Sequence, residues 1–314
     1  MLVKSEKVIY VILAMVVISW GLNIVMVKHL TESMSPLLVA SVRMPLAGIV
    51  LLPFVWKMHG FYKPTARQWG LLVLIGVTSI FFHQMLLAYG VVTTTATNAS
   101  LILGLNPLTT ALLAAIFIGE KFTFRLAVGI VLGLSGVILV IFSKSADSTV
   151  DLSGWGDIFM FLAMLAYVVG GLLVKKITAT PIPTLVVTAY STVIGGVFLN
   201  LGTVVYLGPS SYQQIHMTGT AWIIMLLSAW GASSLGTLGW NYGIKQLGAN
   251  RTAMFINGMP FASIVGGIIF LNEKIGWIHV AAFILTTLGI VIATLKTRGV
   301  FTAKGNSAGM TSKL

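Results

Sequence analysis

The groups in this chain that could do chemistry inside its apolar stretches are one arginine, one histidine, a set of asparagines and several aromatic rings. Arg43 lies seven residues beyond Pro36, which on a helix is about 10 Å from the end. An arginine at the centre of a bilayer is disfavoured by about 2.5–3.5 kcal/mol on insertion scales, and by less near an end. Two readings stay open: a guanidinium that snorkels outward or bonds helix-end carbonyls, or a cavity cation that attracts an anionic group. His83 has Ser79 four residues before it and Gln84 beside it. It is either bonded to a neighbouring helix, in contact with a solute, or a titrating group, imidazole having an ordinary pKa of about 6.5.

Amides and rings recur at helical spacing. Ser19, Trp20 and Asn23 share one face; Asn98, Ile102, Asn106 and Thr109 share another; Trp230, Ser234, Thr237 and Asn241 form a third; and Asn250, Ala253, Asn257 and Phe261 a fourth. Tyr167 and Tyr190 are further candidates. Each stripe alone is also what helix-to-helix hydrogen bonding would need, at about 0.6 kcal/mol per bond, and Asn98 or Asn250 could cap a helix start. Together they predict a wall of amides and rings suited to zwitterionic or aromatic organic solutes. Nothing here suits catalysis. No Asp or Glu falls in mid-stretch, no two histidines share a face, and no HExxH, GxSxG or P-loop pattern falls within the apolar runs. With no cysteine either, no metal site or cofactor is expected.

The elements that must position these residues are membrane spans. The chain is 57% hydrophobic and 8% charged, with a mean hydropathy of +0.99, far outside the soluble range. Ten apolar runs cover 8–27, 36–56, 69–90, 97–118, 125–143, 154–174, 184–206, 220–242, 250–271 and 277–296. Each is long enough to cross the hydrocarbon core as a helix, and lipid satisfies no open backbone groups, so helices they must be. The first run continues through Ser19-Trp20-Gly21 without a cleavage pattern and reads as a span. The net charge of +12 is not spread as a nucleic-acid binder's would be. With the N-terminus inside, fifteen Lys and Arg fall in inner segments and Lys28, Lys144 and Lys274 in outer ones. That bias predicts cytoplasmic termini, with anionic lipid headgroups as partners of the basic residues.

The chain is also doubled. Tyr89-Gly90, Pro107, Glu120-Lys121 and Gly136 return 153 residues later as Tyr242-Gly243, Pro260, Glu273-Lys274 and Gly289. An offset of 147 carries Trp20 onto Tyr167, Lys28 onto Lys175 and Pro36 onto Pro183. Five spans per half force the second half to cross in the opposite sense. The reading is an all-α integral membrane protein of ten transmembrane helices in two inverted five-helix repeats, residues 1–150 and 151–296, with a polar cytoplasmic tail over 297–314. Inverted repeats place a solute site near the midplane between the copies. Pro107 and Pro260, at equivalent mid-span positions, each remove a backbone hydrogen bond and are expected to kink their helices, as a fixed bend or as paired hinges.

Three stretches carry a resemblance. Thr97-Asn-Ala-Ser-Leu-Ile-Leu-Gly-Leu-Asn-Pro107 running on to Phe117-Ile-Gly-Glu-Lys121 is similar to the fourth span of the EamA family of the drug/metabolite transporter superfamily. Gly248-Ala-Asn-Arg-Thr-Ala253, Pro260 and Leu271-Asn-Glu-Lys274 resemble its ninth span, and Trp20-Gly-Leu-Asn23 with Pro36 and Arg43 its first hairpin. One departure is Asn272, where the family usually has glycine. The resemblance implies a basket-like carrier of small organic metabolites, often outward.

The expected function is therefore a secondary transporter in the cell membrane, moving amino acids or related aromatic solutes as an exporter or facilitator by alternating access. A passive channel and a proton-coupled antiporter of drugs or metabolites are the alternatives. The partners expected are a small organic solute and the lipid bilayer, with no nucleic acid and a monomeric state.

Overall fold

A computed structural model describes residues 6–118, 122–141 and 155–294. The Glu120-Lys121 turn, the 142–154 segment and the tail lie outside the described residues. All regular structure among those described is helical. Eight helical stretches are long and apolar enough to cross a membrane. They are α1 (Glu6–Thr31), α2 (Pro36–His59), α3 (Ala66–Thr93), α4 (Ala96–Phe117), α6 (Trp155–Thr178), α7 (Thr184–Leu207), α8 (Gly219–Leu247) and α9 (Ala249–Leu271). Two shorter apolar helices are α5 (Phe124–Ile141) and α10 (Trp277–Thr294).

Local sequence sets the ends. Ser35, Thr65, Thr95 and Thr218 accept backbone N–H bonds at the starts of α2, α3, α4 and α8, donors that otherwise have no helical partner. Asn272 ends α9 in the left-handed conformation at φ 53°. Glycine is favoured there and asparagine is the usual substitute, so the departure from the family pattern keeps the backbone turn.

Two irregularities recur in both halves. α3 widens to a π-helix over Gly76–Phe82 and α8 over Leu227–Gly236; adding 153 to the first range gives 229–235, inside the second. α4 breaks at Gly104-Leu105, and α9 tightens to a 3₁₀ turn over Met254–Gly258. The prolines therefore do not kink continuous helices, as the sequence alone suggested. Pro107 is the second residue of the segment Asn106–Ile118, and Pro260 of Met259–Leu271. A first-turn N–H has no partner within the helix, so proline is accommodated there without loss.

The two halves interleave. α1 packs on α9, α2 on α7, α3 on α6 and α7, and α8 on α1 and α2. α5 and α10 pack mainly on each other. Their contact is backbone on backbone: a Cβ added at Gly129 would meet the Gly289 carbonyl oxygen at 2.5 Å, and one at Gly289 would meet that of Gly129 at the same distance. Small residues allow this approach where lipid provides no hydrophobic drive between helices.

Candidate solute cavity

The interleaved helices enclose a cavity of about 70 Å³. A single water needs roughly 10–15 Å³ on that measure, so the space holds several waters or a small solute. Its walls come from α1 (Trp20, Asn23, Ile24), α3 (Ser79, His83, Gln84), α4 (Leu103, Asn106), α6 (Tyr167, Gly171), α7 (Ser191), α8 (Ser233, Thr237, Trp240, Asn241) and α9 (Ile256, Met259), with further aliphatic side chains.

Three rings and an imidazole form one cluster. Trp20 meets Tyr167 edge to face with centroids 5.7 Å apart, and Trp240 at 4.9 Å; His83 lies 4.8 Å from Tyr167. Polar atoms fix the rings. Trp20 Nε1–H donates to the Ala232 carbonyl at 2.9 Å, inside the π-helical stretch of α8. His83 Nδ1 lies 2.9 Å from the Ala163 carbonyl oxygen. A carbonyl can only accept, so Nδ1 carries the proton and Nε2 of the neutral ring is left as an acceptor.

The amides are oriented as well. Asn241 Nδ2 donates to Thr188 Oγ1 at 3.0 Å, leaving its oxygen as a cavity acceptor. Asn106 Oδ1 accepts from Thr110 Oγ1 at 3.2 Å, leaving its NH₂ as a donor. The cavity thus presents donors and acceptors as well as rings, and none of its lining residues is acidic. Among the described residues no three His, Asp or Glu side chains gather as a metal site would require.

Of the residues singled out from the sequence, Trp20, Asn23, Ser79, His83, Asn106, Tyr167, Thr237 and Asn241 meet at this cavity. Arg43, Asn98, Asn257, Tyr190 and Trp230 do not line it. Arg43 is completely buried behind the wall, its guanidinium donating to Asn23 Oδ1 at 3.3 Å, to Ser228 Oγ at 3.1 Å and to Gln84 Oε1. It therefore neither snorkels nor opens onto the cavity, because neutral acceptors on three neighbouring helices hold it. Asn98 is buried at the start of α4, its backbone N–H bonded to the capping Thr95 hydroxyl at 3.0 Å. Asn257 lies in the 3₁₀ turn of α9, half-buried beside two residues that do face the cavity. Tyr190 stacks on Trp69 and donates to the Tyr62 carbonyl at 3.2 Å.

Trp230 is 43% exposed on the outer surface of the bundle. The expected stripe on α8 assumed α-helical spacing throughout. Each π turn adds a residue and rotates the remainder of the helix by about 100°. The Ser233 and Ser234 hydroxyls donate to carbonyls five residues back, at Ser228 and Ala229. Thr237 and Asn241 consequently face the cavity while Trp230 faces away. Gln84, Ser233 and Trp240 are cavity residues that the spacing argument did not select, since each adjoins a selected residue and was placed off its face.

One end of the bundle is tied by ionic contacts. Lys28 Nζ lies 3.5 Å from Glu273 Oε1 and donates to the Thr94 carbonyl at 2.7 Å. The Glu273 carboxylate accepts from the Ala96 and Thr97 N–H groups, at 2.6 and 3.1 Å, and from the Thr97 hydroxyl at 2.9 Å. It thereby supplies negative charge at the N-terminus of α4 and joins α1, α4 and α9. Thr94 also donates to Asp157 of α6.

Known proteins share this architecture. The model of the EamA-like transporter family matches residues 7–142 and again 154–295. The uncharacterized transporter YyaM of Bacillus subtilis (strain 168) is 31% identical over 293 residues, covering 90% of this chain and 94% of the relative. A probable terminal-alkyne amino-acid exporter of Streptantibioticus cattleyicolor is 27% identical over 271 residues, covering 85% of this chain and 84% of its own. A crystal structure of a protein 17% identical in sequence superposes with a TM-score of 0.62, over 90% of this chain and 98% of that one, which shows a shared fold.

Proposed function

The chain belongs to the EamA-like transporter family and is a multi-pass membrane transporter; from that premise we propose that it is a secondary carrier of small zwitterionic or aromatic organic solutes, amino acids among them, working by alternating access as an exporter or facilitator. The observation that carries this reading is the cavity between the two halves, walled by oriented amides and three aromatic rings and without an acidic residue. Aromatic surface attracts apolar and cationic parts of a solute, while the amides match its polar atoms.

Ten spans in two inverted repeats are part of the proposal. It is supported by the family model matching twice and by the π-helical stretches at equivalent places in α3 and α8. The spans sit in the plasma membrane with both termini in the cytoplasm, supported by the distribution of Lys and Arg. The Lys28–Glu273 end is then the external one. The breaks before Pro107 and Pro260 act as paired hinges, since discontinuous helices flank the solute site in many repeat-built carriers.

Solute counterflow in proteoliposomes tests the proposal. A labelled amino acid should accumulate above its outside concentration only when unlabelled solute is trapped inside, and its flux should saturate. Flux that is unsaturated and indifferent to trapped solute would mean a channel. His83 at the cavity wall favours a second reading, proton antiport. An imposed pH gradient without a solute gradient should drive no accumulation; accumulation lost in His83→Ala would establish that coupling instead.

A further inference from the structure

Arg43 is a buried cation without a carboxylate beside it. The salt bridges among the described residues are Lys28 with Glu273 and His29 with Glu32. The donors of Arg43 go instead to Asn23 Oδ1, Ser228 Oγ and Gln84 Oε1, and its Nε has no partner among the described residues. Buried charges are ordinarily paired, so a counter-charge is missing from this part of the protein.

The geometry says where it would come from. Arginine carries donors and no acceptor, so the amides of Asn23 and Gln84 must turn their oxygens toward it. The Ser228 hydroxyl also donates to Asn23 Oδ1, which holds that amide the same way round. Both NH₂ groups therefore point away from Arg43. Asn23 and Gln84 line the cavity, whereas Arg43 and Ser228 lie behind it, and neither NH₂ group has a partner among the described residues.

We propose that Asn23 Nδ2 and Gln84 Nε2 form a subsite for the carboxylate of the carried solute, with Arg43 as a positioning residue that fixes both amides and supplies the counter-charge through them. The inference rests on the cavity being the solute site. Hydrogen bonds in a chain polarise one another, so an amide whose oxygen accepts from a guanidinium donates more strongly through its N–H. The carboxylate meets fixed donors and a positive potential without forming a direct salt bridge, and so is oriented yet free to leave. The preference this creates is for carboxylate over carboxamide, and for carboxamide over amine.

Titration of the detergent-purified full-length protein with phenylacetate, phenylacetamide, phenethylamine and L-phenylalanine tests this, read by tryptophan emission because Trp20 and Trp240 line the cavity. The ring is constant and the head group varies. Phenylacetate and L-phenylalanine should bind at least about tenfold more tightly than phenethylamine, with phenylacetamide between them. Asn23→Asp and Gln84→Glu keep the oxygen that Arg43 grips and replace only the cavity-facing NH₂. Each should weaken phenylacetate by about tenfold or more and leave phenethylamine as tight or tighter. Arg43→Met should erase the discrimination; if it fails to fold, the head-group ratio in the unaltered protein still decides. Equal binding of phenylacetate and phenethylamine, or an unchanged ratio in a folded Asn23→Asp, would overturn the subsite while the cavity reading stands. Silence from all four probes would overturn both.

Discussion

Trp20 and Tyr167, paired by the 147-residue offset in the sequence, meet edge to face in the cavity wall, 5.7 Å apart at 90°. One ring comes from α1 and the other from α6, so the contact joins the first part of the chain to the second at the cavity wall. Tyr167 also carries contacts to His83 and Trp240, which makes the ring cluster a single packed unit.

Trp20→Ala should therefore lower transport by at least about tenfold at normal membrane abundance. Trp230→Ala, on the exposed face of α8, should stay within about twofold, a surface change being near neutral. Proteoliposome counterflow with matched protein amounts measures both. Equal losses would place the solute elsewhere.

Breaking the Lys28–Glu273 tie should lower stability. Hydrogen bonds to charged groups contribute about 1.5–3 kcal/mol each, and Glu273 accepts three. Glu273→Ala should reduce the melting temperature more than Lys28→Met, because it also uncaps α4. The double variant should fall short of the sum, as residues sharing one network are not additive. Additive effects would show that the pair is independent.

The α5–α10 contact predicts a steric effect apart from the cavity. Gly129→Leu forces a side chain onto the Gly289 carbonyl and should destabilise by about 1–3 kcal/mol or more. Solute affinity in the surviving folded fraction should not change. A lower affinity at unchanged melting temperature would contradict this packing role.

Orientation is checked with introduced cysteines, the chain having none of its own. Ser33 and Lys63 are both exposed, in the α1–α2 and α2–α3 connections. A membrane-impermeant thiol reagent on intact cells should label Ser33→Cys and spare Lys63→Cys. The reverse pattern would invert the assigned topology.

The helical stretches were legible because apolar length and backbone satisfaction favour helices in lipid. Trp20 and Asn23 of the α1 stripe line the cavity, but of the α4 stripe only Asn106 does, beyond the break at Gly104-Leu105. α8 misled for a definite reason: a π-helix changes the spacing itself, and nothing in Leu227–Gly236 announces it. Arg43 was visible as an anomaly, but its partners on α1, α3 and α8 are brought together only by packing. Gln84 was legible only as a neighbour of His83 for the same cause, since its bond to Arg43 comes from the packing of α2 on α3. The prolines were read as kinks because the breaks just before them come from local backbone geometry.

The offset that carries Trp20 onto Tyr167 also carries Arg43 onto Tyr190 and Asn23 onto Gly170. At that offset the arginine is matched by a phenol, bonded to the Tyr62 carbonyl, and not by a second cation. The proposed carboxylate subsite, Asn23 and Gln84 with Arg43 behind them, accordingly comes wholly from the first part of the chain. A zwitterion held at that subsite would keep its carboxylate toward Asn23 and Gln84 throughout its passage. Cargo carried in one fixed attitude would present its carboxylate end to one side of the membrane and its other end to the opposite side.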